Sequence, residues 1–566
     1  MPIRHPFAAA GRATGLATIL AATLAVTGCA TASTSSPTAS GASGASGASG
    51  ASGASGASGA SGSSGASGSS GAAGTGGATR SPTTLRIATS FAITDLDPLN
   101  NGFWGSEFGF GDLLMKPLGG GQLAPWLLES LSQASPTTWD LTLRPNIKFQ
   151  NGDPLTGPAL AQTMSYMLAN NTSLEPELPG ATATSTGPLS VTLTTAQPTS
   201  SVPSLLANEA MFDIFDTPVY LNLKATPAAL VGARIYTGPY TVTSLTPEQM
   251  VMIPTAGYYG PTPKLSKLTI LFVADAQARI DAVEDGEADL ALYPPTAAAG
   301  QLNGRTDAYF VPQQSDYSYE GFRLLLNLHE TPFNDLVVRQ ALLHAINYAQ
   351  IAQQVLGGYY VTATGLYPGF LPYALHDQTT DTAMARQLLD SDGWTVGSHG
   401  VRSKDGQQLS FTMLTYPQQP DVAPIALAVQ SELQPLGFDV QIRQVDDIDT
   451  VVKVPSGWNA AVEGDSSLDW TGTDPVEPLV ENFTTHGDDN YGGISNPTID
   501  QIAAQLEAST DPALRSTLLQ QAQQIIVEQQ AYSVYLCIKR DPVVASPALR
   551  DYVVPPAALL WTNAYA

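Results

Sequence analysis

The sequence predicts a large α/β protein, and three observations indicate this fold class. Segments with the two-residue period of strands alternate with segments of helical period throughout the chain after residue 83. Roughly 480 residues follow the N-terminal low-complexity region, which is more than one hydrophobic core accommodates. The best-defined unit has the order strand, helix, strand, which is typical of parallel sheets. The sequence therefore predicts two or three α/β domains.

The strand, helix, strand unit is expected over residues 409–442. Apolar and polar residues alternate over 409–416, apolar residues recur at helical spacing over 425–436, and the alternation returns over 438–442. Gly437 marks the end of the predicted helix. Just upstream, Lys404-Asp405-Gly406 is a turn signal that predicts a hairpin leading into the first strand.

Further elements are predicted elsewhere in the chain. Apolar residues recur every four positions from residue 334 to residue 356, which predicts one long helix ended by Gly357-Gly358. Short apolar runs predict buried strands at 85–91, 268–273 and 289–293.

The N-terminus has the pattern of an export signal. A basic start with Arg4 and Arg12 precedes an apolar run that is too short to span a bilayer. The sequence Leu-Ala-Val-Thr-Gly before Cys29 resembles the bacterial lipobox, so residues 1–28 are expected to be a lipoprotein signal peptide and Cys29 the lipid attachment site. An ordinary secretory signal with an incidental cysteine is the alternative. Either way the protein is expected to be exported, and with lipid it would be anchored facing the outside of the cytoplasmic membrane.

Residues 30–82 consist almost entirely of Gly, Ala and Ser. No side chain there is large enough to offset the entropy of ordering, so residues 29–82 are expected to form a disordered tether. Such a tether spans about 40 Å on average, which would lift a folded body off the membrane.

Charge, cysteine content and the motifs present argue against a nucleic-acid partner, an intramolecular disulfide, a histidine metal site and several classes of enzyme. The formal net charge is −25, which argues against nucleic acid. Only Cys29 and Cys537 exist, so lipidation of the first leaves no intramolecular disulfide. Cys537 lies in an apolar run and is predicted to be a buried packing residue. The six histidines show no metal-ligand spacing, and no catalytic motif of a metalloprotease, serine hydrolase or nucleotide hydrolase is present.

Short segments spread over about residues 83–550 carry a resemblance to a known family. In order, these include IATSFAITDLDPL (87–99), APWLLESL (124–131), WDLTLRPNIKFQNGDPLTGPAL (139–160), TGPY (237–240), QARIDAVEDGEADL (277–290), PFND (332–335), VRQA (338–341) and SNP (495–497). This succession resembles the family 5 extracellular solute-binding proteins, which are the peptide and nickel receptors of ABC importers.

The resemblance implies a two-lobed periplasmic-binding-protein-like fold of the class II type, with two hinge crossings near residues 322–327 and 533–540. Lobe I would comprise residues 83–325 completed by 535–566, and lobe II residues 326–534. A small solute would bind between the lobes and shift the population from open to closed. The expected partners are this ligand and a membrane permease. The protein would act as a monomer, without a cofactor and without catalytic activity.

The resemblance also implies candidate ligand residues after residue 458. Peptide receptors of the family have a tryptophan followed by an aspartate that pairs with the ligand's α-ammonium group, and a charge-assisted bond of this kind contributes about 1.5–3 kcal/mol. Trp470 and Thr471 fit this motif, with Asp474 as the acid. Asp474 could instead form an Asp-Pro turn, which leaves Asp465 or Asp469 as anchors, or none. Trp470 could equally be a core residue.

Two further residues, Tyr367 and Phe370, occupy a loop where the family often contacts ligand. Oligopeptides are the expected cargo, and a nickel or other metal chelate or an oligosaccharide is the alternative. Two other classes, a tethered extracellular hydrolase using Asp465 and Asp469 and a structural surface protein, have less support, since no catalytic motif and no repeat in the folded part accompany them.

Overall fold

The computed structural model describes residues 83–119, 122–314, 319–468 and 474–555. The predicted signal peptide, Cys29 and the tether lie outside the described residues, as do Asp469, Trp470 and Thr471. Within the described ranges, no helix is both long enough and apolar enough to cross a membrane.

The first stretch of the chain, up to residue 311, supplies twelve strands. They are β1 (Thr84–Thr89), β2 (Met115–Gly119), β3 (Gln122–Pro125), β4 (Leu128–Ser135), β5 (Thr138–Leu143), β6 (Thr182–Ser185), β7 (Ser190–Thr194), β8 (Tyr240–Leu245), β9 (Gln249–Pro254), β10 (Lys267–Phe272), β11 (Leu290–Leu292) and β12 (Tyr309–Val311).

Eight α-helices lie in the same stretch. They are α1 (Trp104–Phe108), α2 (Gly157–Asn170), α3 (Leu174–Glu177), α4 (Val202–Leu205), α5 (Thr217–Leu223), α6 (Leu230–Ala233), α7 (Ala276–Glu284) and α8 (Ala298–Gln301). Pro227–Ala229 adds a 3₁₀ turn before α6.

The second stretch, from residue 320 to residue 538, supplies nine strands. They are β13 (Glu320–Leu326), β14 (Val361–Thr362), β15 (Thr395–Val396), β16 (Arg402–Lys404), β17 (Gln407–Gln408), β18 (Ser410–Thr415), β19 (Asp439–Gln444), β20 (Ala460–Ser466) and β21 (Ser533–Ile538). The final strand, β22 (Val543–Ala545), follows it.

Eight α-helices accompany these strands. They are α9 (Leu336–Ala345), α10 (Tyr348–Gln350), α11 (Thr382–Ser391), α12 (Val422–Leu433), α13 (Ile448–Val452), α14 (Val476–Phe483), α15 (Pro497–Glu507) and α16 (Pro512–Gln523). Ile351–Val355 and Gln524–Gln529 are π-helical, and Gln434–Leu436 and Pro547–Leu549 are 3₁₀ turns.

Two main sheets divide the protein into two lobes. In the first lobe, a seven-stranded sheet has the order β12-β22-β11-β1-β10-β9-β8, beside a four-stranded sheet β4-β5-β7-β6 and the pair β2-β3. In the second lobe, a six-stranded sheet has the order β14-β21-β13-β20-β18-β19, beside a small sheet β15-β16-β17. Each lobe has its own core of buried apolar side chains, because each main sheet is covered by its own helices.

Strand pairing locates the two passages between the lobes. The chain leaves the first main sheet after β12 and enters the second at β13, so the first passage spans residues 312–319. It leaves the second sheet after β21 and rejoins the first at β22, so the second passage spans residues 539–542. Both passages lie within a few residues of the predicted crossings at 322–327 and 533–540. All of β13 pairs within the second lobe, as does all of β21.

The predicted strand, helix, strand unit is confirmed. Strands β18 and β19 pair in parallel, with α12 between them. Gly437 has a left-handed conformation, with φ of 90°, at the end of the 3₁₀ turn that follows α12. The hairpin before β18 is also confirmed, since β16 and β17 pair antiparallel around Asp405-Gly406. The strands expected at 85–91, 268–273 and 289–293 correspond to β1, β10 and β11.

The single long helix expected over residues 334–356 is wrong. Helix α9 ends before Ile346, whose ψ of 135° is extended, and α10 starts again after Asn347. The Asn347 side chain accepts a hydrogen bond from the backbone N–H of Gln350, so it forms a new N-cap in the middle of the predicted helix. The apolar period continues through the break because both helices pack on the same core.

Candidate ligand site between the lobes

One end of the second lobe's sheet faces the passages to the first lobe. At this end β13 begins, β20 ends and β21 ends, because both neighbours run antiparallel to β13. Glu320 is paired with Ser466 and Gly321 with Ile538. The chain segments 315–318 and 469–473, which directly precede β13 and closely follow β20, lie outside the described residues.

A buried ion-pair network is built on β13, β20 and β21. Arg323 and Glu463 are directly opposite in the β13/β20 register, and their Nη2 and Oε2 atoms are 3.1 Å apart. Arg323 Nη1 lies 2.8 Å from Asp465 Oδ2, to which the Tyr535 hydroxyl also donates at 2.8 Å. All four side chains are buried. Such a network favours one register of the three strands, since the buried charges of Arg323, Glu463 and Asp465 lie within ion-pair distance only where these strands are aligned in this way.

Lys539 extends this pairing into the second passage. Its Nζ lies 2.7 Å from Asp541 Oδ1 and 3.4 Å from Glu320 Oε2, and it sits 5.6 Å from the ring centre of Tyr293. Tyr293 follows β11 in the first lobe, so Lys539 joins the two lobes through an ion pair on one side and a cation–π contact on the other. We call Arg323, Glu463, Asp465, Lys539, Glu320 and Asp541 the crossover network.

The first lobe adds two more carboxylates at this place. Burial raises the pKa of the Tyr293 hydroxyl well above its ordinary value, and the nearby charges of Glu107, Asp541, Glu320 and Glu209 raise it further. These carboxyl groups therefore all lie within electrostatic range of one ring, and all four are buried. The junction between the lobes therefore brings four carboxyl groups close to one ring, and Lys539 pairs with two of them, Glu320 and Asp541.

Among these four carboxyl groups, Glu209 has a raised pKa and a hydrogen bond to Ser106. The Ser106 hydroxyl donates to its Oε2 at 2.6 Å. Burial raises the pKa of Glu209 to about 8, with a further contribution from the charge of Glu320 across the passage. A carboxyl group with this pKa is protonated at neutral pH unless a cation reaches it, so a cation brought to the junction would be favoured.

Aromatic rings form the wall of the first lobe next to these acids. The ring of Phe91 lies 5.9 Å from that of Trp104 and 5.4 Å, edge to face, from that of Tyr293. Trp104 stacks on Phe108 at 5.5 Å. The aromatic stretch 103–110 therefore packs into the core of the first lobe, with Glu107 as the acidic residue in its middle.

A second contact between the lobes lies at a different place. Asn208 Nδ2 donates to Glu477 Oε1 at 2.6 Å, and the Ser201 hydroxyl donates to Glu507 Oε2 at 2.9 Å. Helix α3 of the first lobe packs against α14 of the second. The two lobes are thus in direct contact both at the crossover network and at this second contact.

Asp474 is engaged in two contacts within the second lobe. Its Oδ1 accepts from the backbone N–H of Val476 at 3.0 Å and lies 2.9 Å from Arg515 Nη2. The first contact forms an Asp-Pro turn that starts α14, and the second ties this turn to α16. The geometry is that of the structural turn, one of the two alternatives predicted for this residue.

The remaining predicted site residues are found in different environments. Tyr367 is buried, at 2% exposure, and its hydroxyl donates to the Pro475 carbonyl at 3.4 Å, so it supports the same turn. Phe370 is 44% exposed. Asp465, the alternative anchor, belongs to the crossover network. The buried thiol of Cys537 confirms its prediction as a packing residue.

Sequence reasoning missed Glu107, Glu209 and Glu320. Glu107 lies in the aromatic stretch 103–110 and Glu209 in the apolar run 205–212. An acidic residue isolated in such a run was the available signal, since a buried carboxylate is rare without a partner. The electrostatic interaction of Glu209 with Glu320, more than one hundred residues away in sequence, depends on the tertiary structure. Over the described ranges, no group of three or more His, Cys, Asp or Glu residues is arranged to hold a metal ion.

Comparisons with known proteins agree with this architecture. The NikA protein of Staphylococcus aureus, a nickel-binding protein, is 25% identical over 459 residues, which cover 80% of this chain and 88% of NikA. Its crystal structure with Ni(L-His)2 superposes with a TM-score of 0.72 at 23% identity, over 82% of this chain and 95% of that one. The oligopeptide-binding protein AppA of Bacillus subtilis, in complex with a nonapeptide, gives 0.72 at 20% identity, over 85% and 98%.

The family assignment rests on a match to a family model. The family model of the bacterial extracellular solute-binding proteins, family 5 Middle, matches residues 122–492, which include most of both lobes and the first passage between them. The two main sheets joined by two passages are the architecture that this family predicts. The chain therefore belongs to the family 5 bacterial extracellular solute-binding proteins, the solute receptors of ABC importers.

Proposed function

We propose that this protein captures an oligopeptide between its two lobes and delivers it to an ABC permease. The observation that carries the choice of a peptide is the set of buried carboxyl groups at the lobe junction, Glu107, Glu209, Glu320 and Asp541. An α-ammonium group is a compact cation that such a set would hold through charge-assisted hydrogen bonds. The aromatic rings of Phe91, Trp104 and Tyr293 give these acids an apolar surrounding, in which a charge-assisted hydrogen bond is stronger than in water.

The fold alone does not choose the cargo, because nickel-binding and oligopeptide-binding proteins both share it. Bare metal is disfavoured by the donor set, since the described residues contain no cluster of side chains arranged for an ion. A metal chelate or an oligosaccharide remains the alternative cargo. A neutral oligosaccharide has no cationic group that the carboxyl groups of the junction would bind.

We further propose how the predicted loop residues divide their roles. Asp474 and Tyr367 hold the turn at Pro475 through internal contacts. This turn closely follows the segment that contains Trp470 and Thr471. We propose that Trp470 and Thr471 contact the solute directly. Phe370, with nearly half of its side chain exposed, is retained as a third contact.

The location of the protein is part of the proposal. Membership of an extracellular family supports export. We propose that residues 1–28 are removed, that Cys29 carries the lipid, and that residues 30–82 tether a monomeric receptor to the membrane. The variant Cys29→Ala is expected to appear in the culture medium; its retention on the membrane would contradict the lipid anchor.

The test of the cargo is native mass spectrometry of the exported protein, purified gently and then denatured to release what it holds. A mixture of short peptides is expected, and incubation with the protein should leave them intact, since we propose no catalytic activity. A single chelate or a sugar would overturn the peptide assignment.

A matched pair of ligands then tests the role of the acidic junction. One released peptide is synthesised with a free N-terminus and with an acetylated N-terminus, and both affinities are measured by calorimetry. Loss of one charge-assisted bond is expected to weaken binding by about tenfold or more. Equal affinities would show that the α-ammonium group is not recognised.

A further inference from the structure

Glu177 is an acidic side chain buried between the two lobes without a hydrogen-bond partner. It ends α3, it is 4% exposed, and neither carboxyl oxygen has a partner among the described residues. An ionised carboxylate buried without a partner is strongly disfavoured, so the geometry fits the neutral acid.

The groups that face Glu177 from the second lobe are themselves acidic. Glu477 and Glu481 project from α14, Glu507 ends α15, and Asp474 precedes α14. Helix α2, the other element packed on α3, carries no Asp, Glu, Lys, Arg or His. Glu177 thus meets its like charges only across the boundary between the lobes.

One basic residue, Arg515 of α16, balances part of this charge. Its Nη2 pairs with Asp474 at 2.9 Å, and its Nη1 donates to the Ser200 hydroxyl of the first lobe and to the carbonyl of Leu506, each at 2.8 Å. Its guanidinium group is therefore committed to Asp474 and to neutral oxygens. Within the described part of the chain, neither Glu177 nor Glu507 forms an ion pair with Arg515, although the charge of Arg515 acts to lower the pKa of Glu507.

Titration behaviour agrees with the geometry. Burial raises the pKa of Glu177 well above its ordinary value, and the charges of Glu507, Glu481, Glu477 and Asp474 raise it further. Burial likewise raises the pKa of Glu507 to about 7, although the hydrogen bond from Ser201 acts in the opposite direction.

We propose that this interface of α3 with α14, α15 and α16 is a proton-dependent latch, which closes when Glu177 is neutral and is released when Glu177 ionises. The proposal rests on the proposed function only in that the two lobes open and close. It does not depend on which solute is bound.

The direction of the pH effect follows from proton linkage. Opening the lobes would return Glu177 to solvent and to an ordinary pKa of about 4.3. Because the closed form then binds more protons than the open form, closure is fully favoured below that pKa and is weakened as the pH rises towards the closed-form pKa. Each group linked in this way changes the ratio of closed to open molecules by up to about tenfold per pH unit.

The latch can be tested on the full chain without any ligand. Cysteines replace Leu221 on α5 and Leu514 on α16, which are exposed residues of the two lobes, in a chain carrying Cys29→Ala. The remaining thiol, Cys537, is buried. Single-molecule fluorescence transfer between dyes at the two sites then gives the ratio of closed to open molecules at pH 5, 6.5 and 8.

The unmodified interface is expected to lose at least tenfold in this ratio between pH 5 and pH 8. Glu177→Gln, which keeps the shape of the neutral acid, should raise the ratio at pH 8 by at least tenfold, and the double variant with Glu507→Gln should depend less steeply on pH than the unmodified interface. Glu175→Gln is the matched control, since it removes the same charge from an exposed position of α3. It should reproduce the unmodified profile.

Two results would overturn the latch. One is a ratio that does not change with pH in the unmodified interface, a result that needs no substitution at residue 177. The other is a Glu177→Gln ratio at pH 8 within twofold of the unmodified value. Neither result depends on peptide binding, so the latch and the peptide assignment stand or fall separately.

Discussion

Two of the places where the lobes meet treat buried charge in opposite ways. In the crossover network, each carboxylate lies within 3.4 Å of a basic nitrogen, of Arg323 or of Lys539. At the α3 interface, Arg515 pairs with Asp474, while Glu177 lies buried among acids with neither oxygen bonded. The first contact is therefore built from ion pairs and the second from a neutral acid.

This difference predicts that the two contacts between the lobes differ in how strongly they depend on pH. Ion pairs buried between strands keep their attraction over a wide pH range, because both partners stabilise each other's charge. A buried acid without a partner keeps its contact only while it is protonated. We therefore expect the ion pairs of Arg323 with Glu463 and Asp465 to change little with pH, whereas the contact at α3 is proposed to respond to acidity.

The largest loss of stability is expected when the central cation of the crossover network, Arg323, is removed. Arg323→Met leaves Glu463 and Asp465 buried without their shared partner, which is expected to cost about 3–5 kcal/mol of unfolding free energy. Urea unfolding of the full chain, followed by tryptophan fluorescence, measures the loss. Arg386→Met, at an exposed position of α11, is the matched control and should change stability by less than about 0.5 kcal/mol. Equal stabilities of the two variants would refute the central role of Arg323.

An intermediate loss of stability is expected at Asp474, which was predicted to be either a structural turn or an anchor for the ligand. Asp474→Asn loses the ion pair with Arg515 but keeps an oxygen for the N–H of Val476, so the expected loss of stability is about 1–3 kcal/mol. Affinity for a released peptide should stay within twofold, because the role is structural. A loss of affinity of about 2–5 kcal/mol would instead assign Asp474 to the ligand's ammonium group.

The smallest effect is expected from the neutral donor at the second contact. Asn208→Ala removes the hydrogen bond to Glu477 and a turn contact to Ala210, for an expected loss of about 0.5–1.5 kcal/mol. The same fluorescence measurement as for the latch should show fewer closed molecules at every pH. Asn170→Ala, which removes an exposed bond within α2, serves as its control and should leave the ratio unchanged. A decrease confined to pH 8 would mean that Asn208 acts only through ionisation of its neighbours.

Local pattern was sufficient for the elements whose structure depends on neighbouring residues. The hairpin at Asp405-Gly406, strands β18 and β19 and the end of the helix at Gly437 all follow from short-range periodicity and turn chemistry. The same periodicity failed over residues 334–356. It reports which face is buried, and that face stays the same when Asn347 interrupts the helix.

The family resemblance predicted a ligand region after residue 458, but it did not predict Glu107, Glu209 or Glu320 at the junction between the lobes. Asp474 was predicted from its position after Trp470, yet it contacts Val476 and also Arg515, which lies 41 residues away. Sequence spacing cannot distinguish a turn from an anchor, because both require the same residue in the same place. The choice depends on what the rest of the fold brings to the carboxylate.

The α/β class, the export pattern and the order of most elements could be predicted from the sequence, since each depends on composition or on short-range pattern. The family was predicted from the resemblance of short segments that follow one another in the family's order. The tertiary structure alone decided which charges meet. It placed Glu320 near Glu209, Arg323 between Glu463 and Asp465, and Glu177 against α14. The physical reason is that the pKa of a carboxyl group and its pairing depend on burial and on neighbours within a few ångströms. In this chain, residues far apart in sequence supply those neighbours.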